Sequence, residues 1–146
     1  MRILHVENKK KTEYIAGKIA TQLTGREVIA LFGELGSGKT TFVRYMAKYL
    51  GVNEEDVSSP TFALVNEYKG KFNIYHFDMY RVLTFEDLYS TGFFDYLNNG
   101  ILIIEWSENI ENALPDDAIR IAILKGSLET ERFFHIEGLK TDDFSD

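Results

Sequence analysis

Gly33, Gly38, Lys39 and Thr40 stand at the spacing G-x-x-x-x-G-K-[ST] inside the stretch FGELGSGKTTF. These residue types at this spacing form a cradle for polyphosphate. Glycines reach the positive φ angles that turn successive backbone N–H groups toward one point. Lacking Cβ, they also leave room for phosphate oxygens. Lys39 can neutralise the outer phosphates of a nucleotide, and the Thr40 hydroxyl can ligate Mg²⁺. The candidate nucleotide-binding run is therefore Gly33, Glu34, Leu35, Gly36, Ser37, Gly38, Lys39, Thr40 and Thr41. A plain flexible turn with a lysine at a helix start would not need all four motif positions.

Hydrolysis of a bound nucleotide also needs an acidic group near the metal and a group that orients water. Glu105 closes the apolar run ILIIE, so a sheet that sets this strand beside the one before the glycine loop delivers its carboxylate to the metal. Asp78, in YHFDMYR, is the second carboxylate. In a continuing strand His76, Asp78 and Tyr80 share one face, and Tyr75, Phe77 and Met79 the other. The alternatives are a solvated strand-end Glu105, and an Asp78 that caps its strand or pairs with Arg81. Spacing assigns the two carboxylates no separate roles. Lys39, Asp78 and Glu105 are thus the catalytic candidates, and Thr40, Glu105 and Asp78 the metal candidates. In SSPTF, Pro60 fixes local geometry while Ser59 and Thr61 carry hydroxyls, which suits a loop that orders on a phosphate or a simple turn. Trp106, the single tryptophan, follows Glu105 and lies near the nucleotide or in the core.

Positioning these groups requires a strand before the loop and a helix after it. EVIALF is a continuous apolar run of the kind found in buried strands, and the helix predicted from Lys39 to Leu50 stops at Gly51. Upstream, MRILHV reads as a strand, and Thr12 opens a helix whose Ile15, Ile19 and Leu23 recur at spacing four, with Gly25 ending it. TFALVNEY and KFNIYHFDMY form a hairpin through KGK. TFEDLYSTGFFDYL is helical, with Thr84 as N-cap, Asp87 in the capping-box position and a break at Gly92. AIRIAILKG and RFFHIEG flank SLET as a second hairpin, and the tail LKTDDFSD is expected to fray. The predicted architecture is α/β: a mainly parallel P-loop NTPase sheet flanked by helices, with antiparallel hairpins added.

A chain of 146 residues fits one domain, 1–146, with 137–146 as the frayed tail. Eleven Phe and eight Tyr supply bulky core material. The absence of cysteine excludes disulfides, thiolate zinc sites and thiol nucleophiles, and His5, His76 and His135 match no zinc spacing. Any metal is then held by oxygen. A net charge of −7 argues against a general nucleic-acid surface, so RNA contact would come mainly through a partner. No apolar run approaches the length of a membrane span, and a cytoplasmic location is expected.

Taken together, GELGSGKTTF, SPTF, YHFDMYR and IIEW, in this order, resemble the bacterial TsaE family, also called YjeE. The likeness runs from the helix around Thr12 to the strand containing Arg132. The resemblance implies a small single-domain P-loop ATPase that binds ATP or ADP with Mg²⁺ and hydrolyses slowly without its partners TsaB and TsaD. That pair transfers a threonylcarbamoyl group to the adenosine next to the anticodon of tRNA, and the ATP cycle would drive or reset it. On this likeness Lys39 acts on phosphate and Thr40 on Mg²⁺. Asp78 falls on the aspartate of the family's H-x-D-x-Y-R motif and Glu105 and Trp106 on its E-W pair, with Thr61 in a switch-like loop. Ser37 and Glu34 stand where alanine and aspartate are common, at positions that act mainly through backbone. Arg132 matches a frequent family arginine that reaches the nucleotide or lies on the surface. Two rival readings are a non-catalytic nucleotide-sensing docking module and a small-molecule kinase, for which Arg120 and Arg132 are few and late.

Overall fold

The computed structural model describes residues 1–60, 64–142 and 144 of the chain. Its strands are β1 (Arg2–Val6), β2 (Val28–Phe32), β3 (Val65–Lys69), β4 (Asn73–Asp78), β5 (Ile101–Glu105), β6 (Ile119–Lys125) and β7 (Arg132–Glu137). They form one sheet in the order β1-β7-β6-β2-β5-β4-β3. The four central strands β6, β2, β5 and β4 run parallel. The hairpins β3–β4 and β6–β7, and the pair β1–β7, are antiparallel and form the margins. The apolar runs explain this order. Every residue of β5 and four of the five in β2 are buried, as strands covered on both faces must be.

Helices α1 (Lys9–Gln22) and α2 (Lys39–Tyr49) cover one face, and the short α3 (Phe85–Ser90) and α4 (Phe93–Tyr96) cover part of the other. Ile29, Leu31, Ile74, Ile101 and Ile103 pack with Ile15, Ile19, Phe42 and Met46 of α1 and α2. Their neighbours Ala30, Tyr75, Phe77, Leu102 and Ile104 pack instead with Leu88 and Phe93. The two-residue strand period therefore decides which side chains meet α2. Continuing from Ile103 and Ile74, Glu105, His76 and Asp78 take that side.

Thr84 and Asp87 form the expected capping box on α3, and Gly92, at φ 79°, separates α3 from α4. Three boundaries differ from expectation. Helix α1 begins at Lys9, because the Asn8 side chain accepts from the Lys11 N–H at 3.0 Å and so caps it; Thr12 is a buried residue of its second turn. Strand β4 ends at Asp78, whose carboxylate accepts from the Tyr80 N–H at 2.8 Å, so Tyr80 leaves the strand and is exposed. The described part of the expected frayed tail is anchored at three points: Glu137 pairs with Arg120, Gln22 holds the Lys140 carbonyl at 2.7 Å, and Phe144 is buried, with its carbonyl taken by Arg2 at 3.0 Å. Buried aromatic contact outweighed the polar composition of the tail. Among the described residues no helix is long and apolar enough to cross a membrane.

Candidate functional site

Strand β2 delivers its chain into the glycine loop, and α2 carries it away. Gly33 has φ 146°, and a Cβ there would lie 2.6 Å from the Ile123 carbonyl and 2.8 Å from the Ser37 hydroxyl, so no larger residue fits. Gly38, at φ 104°, is the left-handed N-cap of α2 and leaves the helix's first N–H groups without a side-chain cap. A helix start with open donors and its positive dipole end is a ready site for an anion.

Lys39 is the first residue of α2 and is 5 % exposed. Its ammonium donates to the Gly33 carbonyl and sits 3.7 Å from the centre of the Trp106 ring. Burial pushes its pKa below the usual lysine range, while the carboxylates of Glu108, Glu105 and Asp78 act in the opposite direction. Trp106 holds a left-handed backbone at φ 60°, uncommon for a bulky residue, and its ring lies 5.0 Å from that of Tyr80.

The register pairs Asp78 with Glu105 at the ends of β4 and β5. Glu105 is buried, and both its oxygens lie 3.1 Å from the Thr40 hydroxyl of α2. It is therefore not the solvated strand end that spacing left open. The ring of His76 stands 2.6 Å from the same carboxylate. Thr40, Glu105 and Asp78 line one cavity and offer only oxygen, with Thr40 and Glu105 in direct contact, a chemistry that suits a hard divalent cation. Among the described residues no group of three or more His, Cys, Asp or Glu could hold a metal alone.

Arg132 lies on β7, across from the loop. Its guanidinium donates to the Ser37 carbonyl at 2.8 Å and the Gly36 carbonyl at 3.4 Å, and to the carbonyls of Glu129 and Glu131 at 2.7 and 2.8 Å. The residue grips the loop rather than standing on an open surface.

Two cavities meet at the glycine loop, and Gly36, Ser37, Gly38 and Thr41 line both. One of about 320 Å³ contains Leu35, Lys39, Thr40, Ser59, Asp78, Glu105 and Trp106. The other, of about 410 Å³, lies between the loop, the start of α1 at Asn8 and Thr12, and Arg132 and Phe134 of β7. Glu34 is exposed at the loop's rim. Thr61 lies outside the described residues.

Sequence reasoning assigned no role to Glu108, which accepts from the Gly33 N–H at 2.9 Å, or to Tyr68. Nothing in the WSEN segment marks Glu108 as facing a loop 75 positions away. His76 was visible as a member of the polar face of β4 and as the histidine of the H-x-D-x-Y-R motif, with no role assigned to it.

A model of the family described as "Threonylcarbamoyl adenosine biosynthesis protein TsaE" matches residues 6–133. The tRNA threonylcarbamoyladenosine biosynthesis protein TsaE of Rickettsia prowazekii is 40% identical over 117 residues, 80% of this chain and 81% of that protein. The protein of the same name from Aquifex aeolicus is 48% identical over 105 residues, 70% of this chain and 74% of its own. Among solved structures, Bacillus subtilis YdiB superposes with a TM-score of 0.74 at 29% identity, covering 92% of this chain and 83% of that one.

Proposed function

This chain belongs to the TsaE family of threonylcarbamoyl adenosine biosynthesis proteins, and from that membership we propose that it is a Mg²⁺-dependent P-loop ATPase of tRNA modification, working with TsaB and TsaD. The observation that carries this reading is the convergence, on one cavity, of the loop's open N–H groups, the Lys39 ammonium, the Thr40 hydroxyl and the Glu105 carboxylate. The reaction is ATP + H₂O to ADP + phosphate.

In this reading the polyphosphate occupies the cavity at Lys39 and the nucleoside the larger cleft beside Thr12 and Phe134. The loop N–H groups and the α2 dipole hold the phosphates. Lys39 exchanges its bond to the Gly33 carbonyl for phosphate oxygens, where it stabilises charge moving toward the leaving oxygen. Thr40 and Glu105 would hold Mg²⁺, which supplies positive charge to the phosphate oxygens when bound. Since Glu105 already faces Thr40, Asp78 on the neighbouring strand is assigned to orienting water. A net charge of −7 disfavours a broad tRNA-binding surface on the chain itself, so tRNA contact is assigned mainly to the TsaB–TsaD complex.

Phosphate release measured with and without TsaB and TsaD tests the reading. Slow release stimulated by the pair is expected. No hydrolysis under any condition would favour a nucleotide-sensing docking module, and phosphate transfer to a metabolite would favour a kinase.

A further inference from the structure

His76 is fully buried in β4, with Asn66 of β3 and Ile103 of β5 as its register partners. An imidazole in such a slot is unfavourable unless both ring nitrogens are satisfied. They are: Nε2 stands 2.6 Å from Glu105 Oε2, and Nδ1 stands 3.0 Å from the Tyr68 hydroxyl. A carboxylate only accepts, so Nε2 carries a hydrogen and donates it to Glu105. Nδ1 forms the second hydrogen bond, with the Tyr68 hydroxyl. That hydroxyl also lies 3.1 Å from the Ser58 carbonyl and within 3.3 Å of the Ser58 N–H. Its single hydrogen serves either His76 or the Ser58 carbonyl, not both at once. Ser59, the next residue, lines the cavity that contains Lys39 and Glu105.

We propose that His76 is a positioning residue that aims the Glu105 carboxylate at the Mg²⁺ of bound nucleotide, and that Tyr68 holds its other ring nitrogen and ties it to the Ser58 backbone. This rests on the Mg²⁺-ATPase reading above. The 2.6 Å contact from His76 is the shortest hydrogen bond to the Glu105 carboxylate among the described residues and engages one oxygen, whereas the Thr40 hydroxyl lies 3.1 Å from both oxygens. Without the imidazole the carboxylate loses the donor that fixes its orientation. Partners that orient metal-ligating groups typically account for about 10–100-fold in metal affinity or activity.

The test is equilibrium binding of a non-hydrolysable ATP analogue to the full chain across a Mg²⁺ titration and in EDTA. Variants are His76→Ala, His76→Gln, His76→Asn and Tyr68→Phe. His76→Ala should raise the Mg²⁺ concentration for half-maximal binding about 10–100-fold, with binding in EDTA unchanged. His76→Gln, whose amide nitrogen reaches the Nε2 position, should restore most of the Mg²⁺ dependence. His76→Asn, which ends near Nδ1, should not. Tyr68→Phe should shift it in the same direction by less. An unchanged Mg²⁺ requirement in His76→Ala overturns the proposal, as does equal weakening with and without Mg²⁺, which would mark a merely structural residue. If His76→Ala fails to fold, equal Mg²⁺ requirements for the Gln and Asn variants overturn it. Wild-type binding indifferent to Mg²⁺ would instead overturn the parent reading, and that outcome is read without any variant.

Discussion

The glycine loop is held from two sides by opposite chemistry. On one side the parallel strands β4 and β5 and the turn after them bring carboxylates: Asp78, Glu105 and Glu108, the last holding the Gly33 N–H. On the other side the antiparallel hairpin β6–β7 brings a guanidinium, and Arg132 takes the carbonyls of Gly36 and Ser37. The difference separates two tasks. The carboxylate side presents groups that can meet a cation and water. The guanidinium side occupies loop carbonyls and leaves the N–H groups at the start of α2, which no side chain caps, to an anion.

Substitutions rank the two sides. Lys39→Ala, at the point where they meet, should abolish hydrolysis and tRNA modification in a reconstituted system; full modification activity would break the comparison at its centre. On the carboxylate side, Glu105→Gln and Asp78→Asn should each slow phosphate release by about 100-fold or more. They should differ in kind: Glu105→Gln also raises the Mg²⁺ requirement, while Asp78→Asn leaves it near wild type. Matching Mg²⁺ profiles would erase the division of roles proposed for them. On the guanidinium side, Arg132→Ala removes charge-assisted bonds to backbone, a loss of about 1.5–3 kcal/mol when fully felt. Arg132 is partly exposed, so the low end applies, and nucleotide affinity should fall about tenfold at unchanged Mg²⁺ requirement. Thr84→Ala lies on neither side: losing the α3 cap should lower stability by about 1 kcal/mol in denaturant unfolding and leave nucleotide affinity alone.

The carboxylate side was largely legible in sequence, because its parts lie at the ends of apolar runs whose pairing follows from P-loop context. Lys39, Thr40 and Glu105 needed only the motif and one strand order to be brought together. The two hairpins and the α3 capping box were equally local and were read correctly. The guanidinium side was legible only in part: its hairpin and Arg132 were picked out, but the bonds of Arg132 to the loop carbonyls were not. Arg132 reaches Ser37 across 95 positions of chain, and only the placement of β6 beside β2 puts its hairpin against the loop. Glu108 and Tyr68 escaped for the same reason, since each acts through a contact that no local period signals. The start of α1 was missed by one turn because Asn8 caps a lysine-rich, exposed stretch that lacks the apolar repeat. Phe144 was hidden in a polar tail whose single aromatic finds the core.

The central claim is that the loop between these two sides is a Mg²⁺-nucleotide site. Equilibrium binding of ATP to the isolated chain, with and without Mg²⁺ and alongside Lys39→Ala, tests it most directly. Saturable one-to-one binding, tightened by Mg²⁺ and lost in Lys39→Ala, is the predicted result. Absence of binding, or equal binding by wild type and Lys39→Ala, would contradict it.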